Sequence, residues 1–190
     1  VVIPDGVTSI GERAFYNCNR LTSVDLPDSL SSIRFKVFFY CSNLRSVVIP
    51  DGVTTIEDWA FSGCSSLASV VIPDSVGFIW DFAFYNCTSL NGIYFMGGKP
   101  GSIGADAFYN VPGTVYYIYG TTGWGAKFEG LDTAYWTSEA TFNYNDGEPA
   151  TIATQDYYVG KAYRDGPNGG LLIPTREGYD FLGWWTRLED

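Results

Sequence analysis

Four cysteines, a pair of aspartates and a complete lack of histidine bound the chemistry open to this chain. Cys18, Cys41, Cys64 and Cys87 are each 23 residues apart, and Asp58 and Asp81 keep the same interval. Four cysteines can make a disulfide framework, a metal cluster or a reactive thiol. A spacing of 23 does not suit the short Cys-x-x-Cys pairs of zinc sites, and with no histidine there is no mixed Cys/His site. The remaining reading is a ladder of buried thiols acting as small hydrophobes. One or two bridges between adjacent rungs stay open in an oxidising compartment. Histidine-dependent nucleophilic catalysis is excluded by composition. A carboxylate pair such as Asp58 and Asp81 can serve glycoside hydrolysis, but acids at equivalent repeat positions read first as a solvated face. No nucleophile, base and orienting group converge as an active site requires, so no catalytic residue, cofactor or metal is expected.

The interval that separates the cysteines runs through the whole first part of the chain. Phe15, Phe38, Phe61 and Phe84 share it, as do Leu21, Leu44, Leu67 and Leu90, and Pro4, Pro27, Pro50 and Pro73. Fixed self-similarity of this length marks a solenoid, in which each turn gives one short strand and packs only on its neighbours. Five units of 23 residues start at Val1, Val24, Val47, Val70 and Ile93; the last is displaced by one residue inserted in the loop Gly97-Gly98-Lys99-Pro100-Gly101, so that Phe108 follows Phe84 by 24. From Thr114 the register is lost.

Within a unit, Leu21-x-x-Val24-x-Leu26 alternates as a strand does, and Pro27 cannot continue a central ladder. Val-x-x-Ile follows, then a turn or short helical segment carrying Ala-Phe. The repeated phenylalanines, Phe108 included, are expected to stack as an internal column. With Val24 and Leu26 inward, the exposed row of the strand face holds Val2, Asp25, Val48, Val71 and Tyr94, beside a row of small residues, Ser23, Ser46, Ser69 and Gly92. This face is one candidate binding surface. Trp59, Trp80, Phe82 and Tyr85 fall at variable slots on the opposite, convex side, next to Asp58 and Asp81, and form a second. The competing reading of these aromatics is that they cover the solenoid's own loops.

The pattern I-P-x-S/G-V-x-x-I-x-x-x-A-F-x-x-C-x-x-L-x-x-V resembles the BspA-like leucine-rich repeats of bacterial surface proteins, over residues 1 to about 113. The resemblance implies a leucine-rich-repeat solenoid of parallel strands, loops and short helical turns, secreted or displayed at the cell surface and used in adhesion. It implies no enzyme. Thr114 to Thr137 reads as the cap that closes the stack, with Trp124 and Phe128 structural, because G-T-T-G-W-G-A-K-F-E-G is similar to the segment that often ends such arrays. The expected first domain is therefore 1–137.

Residues 138–190 make a second unit. Ala140 to Tyr144 alternates as a strand, Asn145-Asp146-Gly147 is a hairpin signal, and Thr151 to Tyr158 returns. The stretch Pro174 to Thr186 resembles the Listeria-Bacteroides repeat, the B-repeat of internalin B, and the match extends over Thr141 to Thr186, with Phe142, Gly160, Pro174, Arg176, Gly178, Tyr179, Phe181, Gly183 and Trp184 in place. That resemblance implies a small β-grasp-like domain that serves as a spacer. A longer loop before Pro174 and the lack of final strands after Asp190 mark it as partial. The chain also opens inside a repeat, so a fragment is expected, with any leader and further repeats upstream.

A net charge of −10 arises from 21 acidic and 11 basic residues. It disfavours nucleic acid and anionic lipid as partners, and no apolar run approaches the roughly 18 to 20 residues that span a bilayer. The expected role is noncovalent recognition of a host or neighbouring-cell protein by a monomer. The alternatives are a passive spacer or stalk and a glycan-binding element of a surface system.

Overall fold

The structure, a computed structural model, describes residues 1–118 and 120–136; Val1–Tyr135 form one compact unit. The β domain expected over 138–190 lies outside the described residues. Among the described residues ten short strands form two sheets, wound as a parallel solenoid up to Ile118 and closed by an antiparallel pair, Lys127–Phe128 with Leu131–Trp136. One sheet carries β2 (Ser46–Val48), β4 (Ser69–Ile72), β6 (Gly92–Phe95) and β8 (Thr114–Ile118) in that order, continued by β10 (Leu131–Trp136) and β9 (Lys127–Phe128). The other carries β1 (Ser32–Ile33), β3 (Thr55–Ile56), β5 (Phe78–Ile79) and β7 (Ser102–Ile103). The Val-x-x-Ile segment, read from sequence only as a passage into a turn, is thus a strand of its own. Its isoleucine points inward in every complete turn: Ile33, Ile56 and Ile79 are buried.

The first turn joins the larger sheet through single bridges, Val2 with Asp25 and Ser23 with Ser46. Beyond it the register is regular: Val47, Val70, Ile93 and Val115 face each other in the interior, all buried. The expected loss of register at Thr114 does not occur, for Thr114 pairs with Gly92 and Tyr116 with Tyr94. The residue inserted before Phe108 is offset by a corner two residues shorter, Val111-Pro112-Gly113 standing where Cys87-Thr88-Ser89-Leu90-Asn91 stood. Gly113 makes that short corner fit. A Cβ there would fall 2.3 Å from the Leu90 carbonyl oxygen and 2.7 Å from the Asn91 carbonyl carbon, backbone atoms that cannot swing away. Gly113→Ala is therefore expected to cost about 1 to 3 kcal/mol by overpacking. Gly77→Ala, where a Cβ meets nothing within 4 Å, should be neutral or stabilising by a few tenths. Paired thermal unfolding curves check both.

No helix is present among the described residues. The expected helical turns are replaced by a train of reverse turns, and the backbone angles give the reason. Arg13, Lys36, Trp59, Phe82 and Asp106 all have φ between 53° and 61°, and four positions further on Asn17, Tyr40, Gly63, Asn86 and Asn110 have φ between 56° and 73°. A left-handed residue every fourth position cannot propagate a helix. The N–H groups of the arc instead alternate. Ala60, Ser62 and Cys64 bond backward within the turn, to Glu57, Trp59 and Phe61, while Trp59, Phe61 and Gly63 bond to Asp81, Ala83 and Tyr85 of the next turn at 2.8 to 3.1 Å. The arc is therefore a third hydrogen-bonded ladder between turns, which offsets the cost of the left-handed residues.

The core is one column per repeat position. Phe15, Phe38, Phe61, Phe84 and Phe108 stack with centroids 5.2 to 5.3 Å apart and planes within 9° to 11°. Phe128 ends the column edge-on to Phe108 at 5.6 Å, and Trp124 lies flat on Tyr117 at 5.0 Å. Next to the phenylalanines run the cysteines, all free thiols. The thiols of Cys41, Cys64 and Cys87 donate to the carbonyls of Phe15, Phe38 and Phe61 in the preceding turn at 3.0 to 3.2 Å.

Candidate functional site

Two surfaces hold the residues singled out from sequence, and the solenoid sorts them. On the larger sheet Val48, Val71, Tyr94 and Tyr116 are register partners in one row, and Asp25, bridged to Val2, begins it. Val48 is exposed, Val71, Tyr94 and Tyr116 half-buried. The row thus reaches one turn further than the sequence reading placed it. Tyr94 and Tyr116 stack at 5.1 Å with planes 13° apart. Burial, and then the neighbouring Tyr116 hydroxyl, push the Tyr94 phenol above its ordinary pKa. Its ring lies over Gly92, where a Cβ would come within 2.6 Å of it, so Gly92 in the row of small residues serves as the seat of Tyr94. Six strands leave five spacings of about 4.8 Å, a face about 24 Å across, without the bridged first turn.

The convex aromatics divide. Trp59 and Phe82 stack at 4.3 Å, Tyr85 stacks on Tyr109 at 5.2 Å, and Phe39 meets Trp59 edge-on at 5.8 Å. The Lys36 ammonium sits 4.9 to 5.2 Å from the rings of Phe35, Phe39 and Trp59. These rings spend their faces on one another and cover the turn train. Trp80 is not among them. It lies beside Phe78 at the end of β5, over an open depression lined by Thr55, Glu57, Asp58, Phe78 and Trp80.

Asp58 and Asp81 carry out a structural task. Asp58 Oδ1 accepts the Asp81 N–H at 3.2 Å, Asp81 Oδ1 accepts the Ala105 N–H at 2.8 Å, and Glu57 Oε2 accepts the Phe35 N–H at 2.8 Å. Each carboxylate joins its own turn to a neighbour, so the pair does not face a common reacting atom. Among the described residues no group of three or more His, Cys, Asp or Glu could hold a metal. No helix there is long and apolar enough to cross a membrane.

The repeat itself decides the family. Residues 1–114 match the BspA type leucine rich repeat region, in six copies. This chain belongs to the BspA-type leucine-rich repeat family. The six copies agree with six rows on the larger sheet, counted from Val2 to Tyr116. Among solved structures, the BspA-type repeats here are similar to a leucine rich cell surface protein from Faecalibacterium prausnitzii A2-165. The two are 42% identical over 52% of this chain and 26% of that one, with a TM-score of 0.50. The leucine rich repeat protein of T. pallidum is 35% identical over 61% of this chain and 57% of its own, with a TM-score of 0.54. A leucine-rich repeat protein from Bacteroides ovatus ATCC 8483 is 28% identical over 72% and 42%, with a TM-score of 0.44. The chain thus spans between about a quarter and just over half of these proteins. No curated protein matches it.

Proposed function

We propose that this BspA-type solenoid is a non-catalytic recognition module of a secreted or surface-displayed bacterial protein, and that it adheres to a host or neighbouring-cell protein through the strand face. The observation that carries this reading is the Val48, Val71, Tyr94, Tyr116 row. It sets two aromatic and two aliphatic side chains side by side on a rigid parallel sheet, with small residues next to them. Stacked tyrosines are anchors of the kind that dominate binding energy, since they bring large contact area with little conformational entropy to lose. Kinship with a leucine rich cell surface protein supports the location.

The test is surface plasmon resonance of the full chain over a panel of purified extracellular-matrix and cell-surface proteins. Saturable binding to at least one of them is expected, weakened about tenfold or more by Tyr94→Ala, the size of an aromatic hot spot. A wild-type chain that binds none of the panel would point instead to a passive spacer.

A further inference from the structure

Most large aromatic rings in the solenoid stack on a ring of an adjacent turn or pack in its cap; Phe35, under Arg13 and Lys36, and Tyr40, edge-on to Phe39, do not, and neither do Phe78 and Trp80, which lie beside each other at the end of β5. Their centroids are 6.5 Å apart, their planes 21°, and they are 49% and 48% exposed. The cause is in the register. On the smaller sheet Phe78 stands between Thr55 and Ser102. Continued by one residue, the same register puts Trp80 between Glu57 and Gly104, as the bonds Trp80 N–H to Ile56 and Gly104 N–H to Ile79 require. Thr55 and Ser102 beside Phe78, and a non-aromatic Glu57 and a glycine beside Trp80, leave both rings without a ring to stack on in the adjacent turns.

The floor between them is acidic. Glu57 and Asp58 line the depression with Thr55, and none of its lining residues is cationic. One oxygen of each carboxylate is bonded to backbone N–H; the other takes no hydrogen bond from a described residue. Neighbouring cations are engaged elsewhere. Arg34, in the slot of Glu57 one turn earlier, pairs with Glu12 at 3.1 Å, and Lys36 sits over its three rings.

We propose that this depression takes an arginine side chain presented by a protein partner, with the guanidinium flat against the Phe78 and Trp80 rings and its N–H groups on Glu57 and Asp58. A guanidinium is planar, weakly hydrated and forked, so it stacks on aromatic faces and meets carboxylates at once, as a lysine ammonium does not. A neutral sugar would gain the ring contact and hydroxyl hydrogen bonds to the carboxylates, but no charge pairing with them. The net charge of −10 steers a cationic segment toward the surface. The site is on the other sheet from Tyr94, so it stands or falls separately from the strand-face reading.

The experiment follows the Trp80 indole N–H resonance of the full chain, assigned by its loss in Trp80→Phe. The protein is titrated with a blocked Gly-Arg-Gly-Arg-Gly peptide, its lysine and citrulline counterparts, and a soluble β-glucan. The arginine peptide should shift Trp80 saturably and bind several-fold tighter than the lysine peptide, while the citrulline peptide should give no shift. Binding should fall about tenfold in the Glu57→Gln, Asp58→Asn double variant, and in Trp80→Ala as read from the backbone amides of Thr55 and Phe78 in the same depression, and weaken with salt. The double variant retains both backbone acceptors, so an unchanged spectrum elsewhere confirms its fold even if Trp80→Ala is unstable. Arginine, lysine and citrulline peptides of equal affinity, an undiminished double variant, or no response to any probe would overturn the proposal. A shift with the glucan alone would also overturn it and reassign the rings to a glycan.

Discussion

Replacing Phe61 by alanine is expected to destabilise the solenoid by about 3 to 5 kcal/mol, the range for a large aromatic deleted from a tight core. Phe61 is fully buried and has a ring stacked on each side, Phe38 and Phe84, both at 5.2 Å. The turns are hydrogen-bonded to each other along three ladders, so the walls of the resulting cavity are held apart. Little collapse can refill it, and the full cost should appear. Phe15→Ala makes the contrast. Phe15 is half-buried and stacks only on Phe38 at 5.3 Å, so its loss should cost about 1 kcal/mol. Because each turn contacts only its neighbours, Phe61→Ala should also split the array and broaden or divide its denaturant transition. Urea unfolding followed by circular dichroism reads both effects. Equal costs at the two positions would show that the rings do not act as a stacked column.

The column was legible in the sequence because its signal is a period, which requires no knowledge of backbone angles. Once Phe, Cys and Leu recur at one interval, stacking places them together whatever path the chain takes between them. The strand face was legible for a related reason. Alternation around Val24 and Leu26 sets inward and outward residues, and Val48, Val71 and Tyr94 share a row by phase. The arc between the sheets was not legible. Its second left-handed column shows Asn17, Gly63, Asn86 and Asn110, types that adopt such angles readily, and Tyr40 alone in that column gives no sign. The first is Arg13, Lys36, Trp59 and Phe82, which give no such sign, and only its last member, Asp106, is of a type that does. There the conformation is imposed by bonding to adjacent turns and not by local preference, so a single unit read alone suggests a helical turn.

The same limit governed the candidate surfaces. Trp59, Trp80 and Phe82 looked like one aromatic group because they are near each other in turn and phase. Separating them needed the knowledge that Trp80 continues a strand, which a two-residue β5 does not announce. Phe78 was missed altogether, although its alternation with buried Ile79 was available as a signal. Tyr116 was missed because the shortened corner at Gly113 disguised another row as a cap.

Stability should also fall steeply in alkali, and the buried thiols are the reason. Burial pushes Cys41 up to about 11 and Cys87 up to about 12 from an ordinary value of 9.0, and raises Cys64 well above it. The folded chain therefore resists losing these protons while the unfolded chain gives them up near pH 9. Stability from each thiol is complete below that pH and is lost as pH rises through the folded value. A unit of pKa difference is about 1.4 kcal/mol, so by pH 11 Cys41 and Cys87 should each have lost about 2 to 3 kcal/mol. Tyr94, raised also, adds to the slope with the same sign. Cys87→Ala isolates one thiol. The variant begins less stable, by a packing cost that does not change with pH. Between pH 8 and pH 11 it should then lose about 2 to 3 kcal/mol less than the wild type in urea midpoints converted to free energy. Parallel slopes for the two proteins would mean that water reaches the cysteine ladder and that the interior is not dry. That outcome would also remove the basis for reading Cys41, Cys64 and Cys87 as packing residues bonded to the Phe carbonyls.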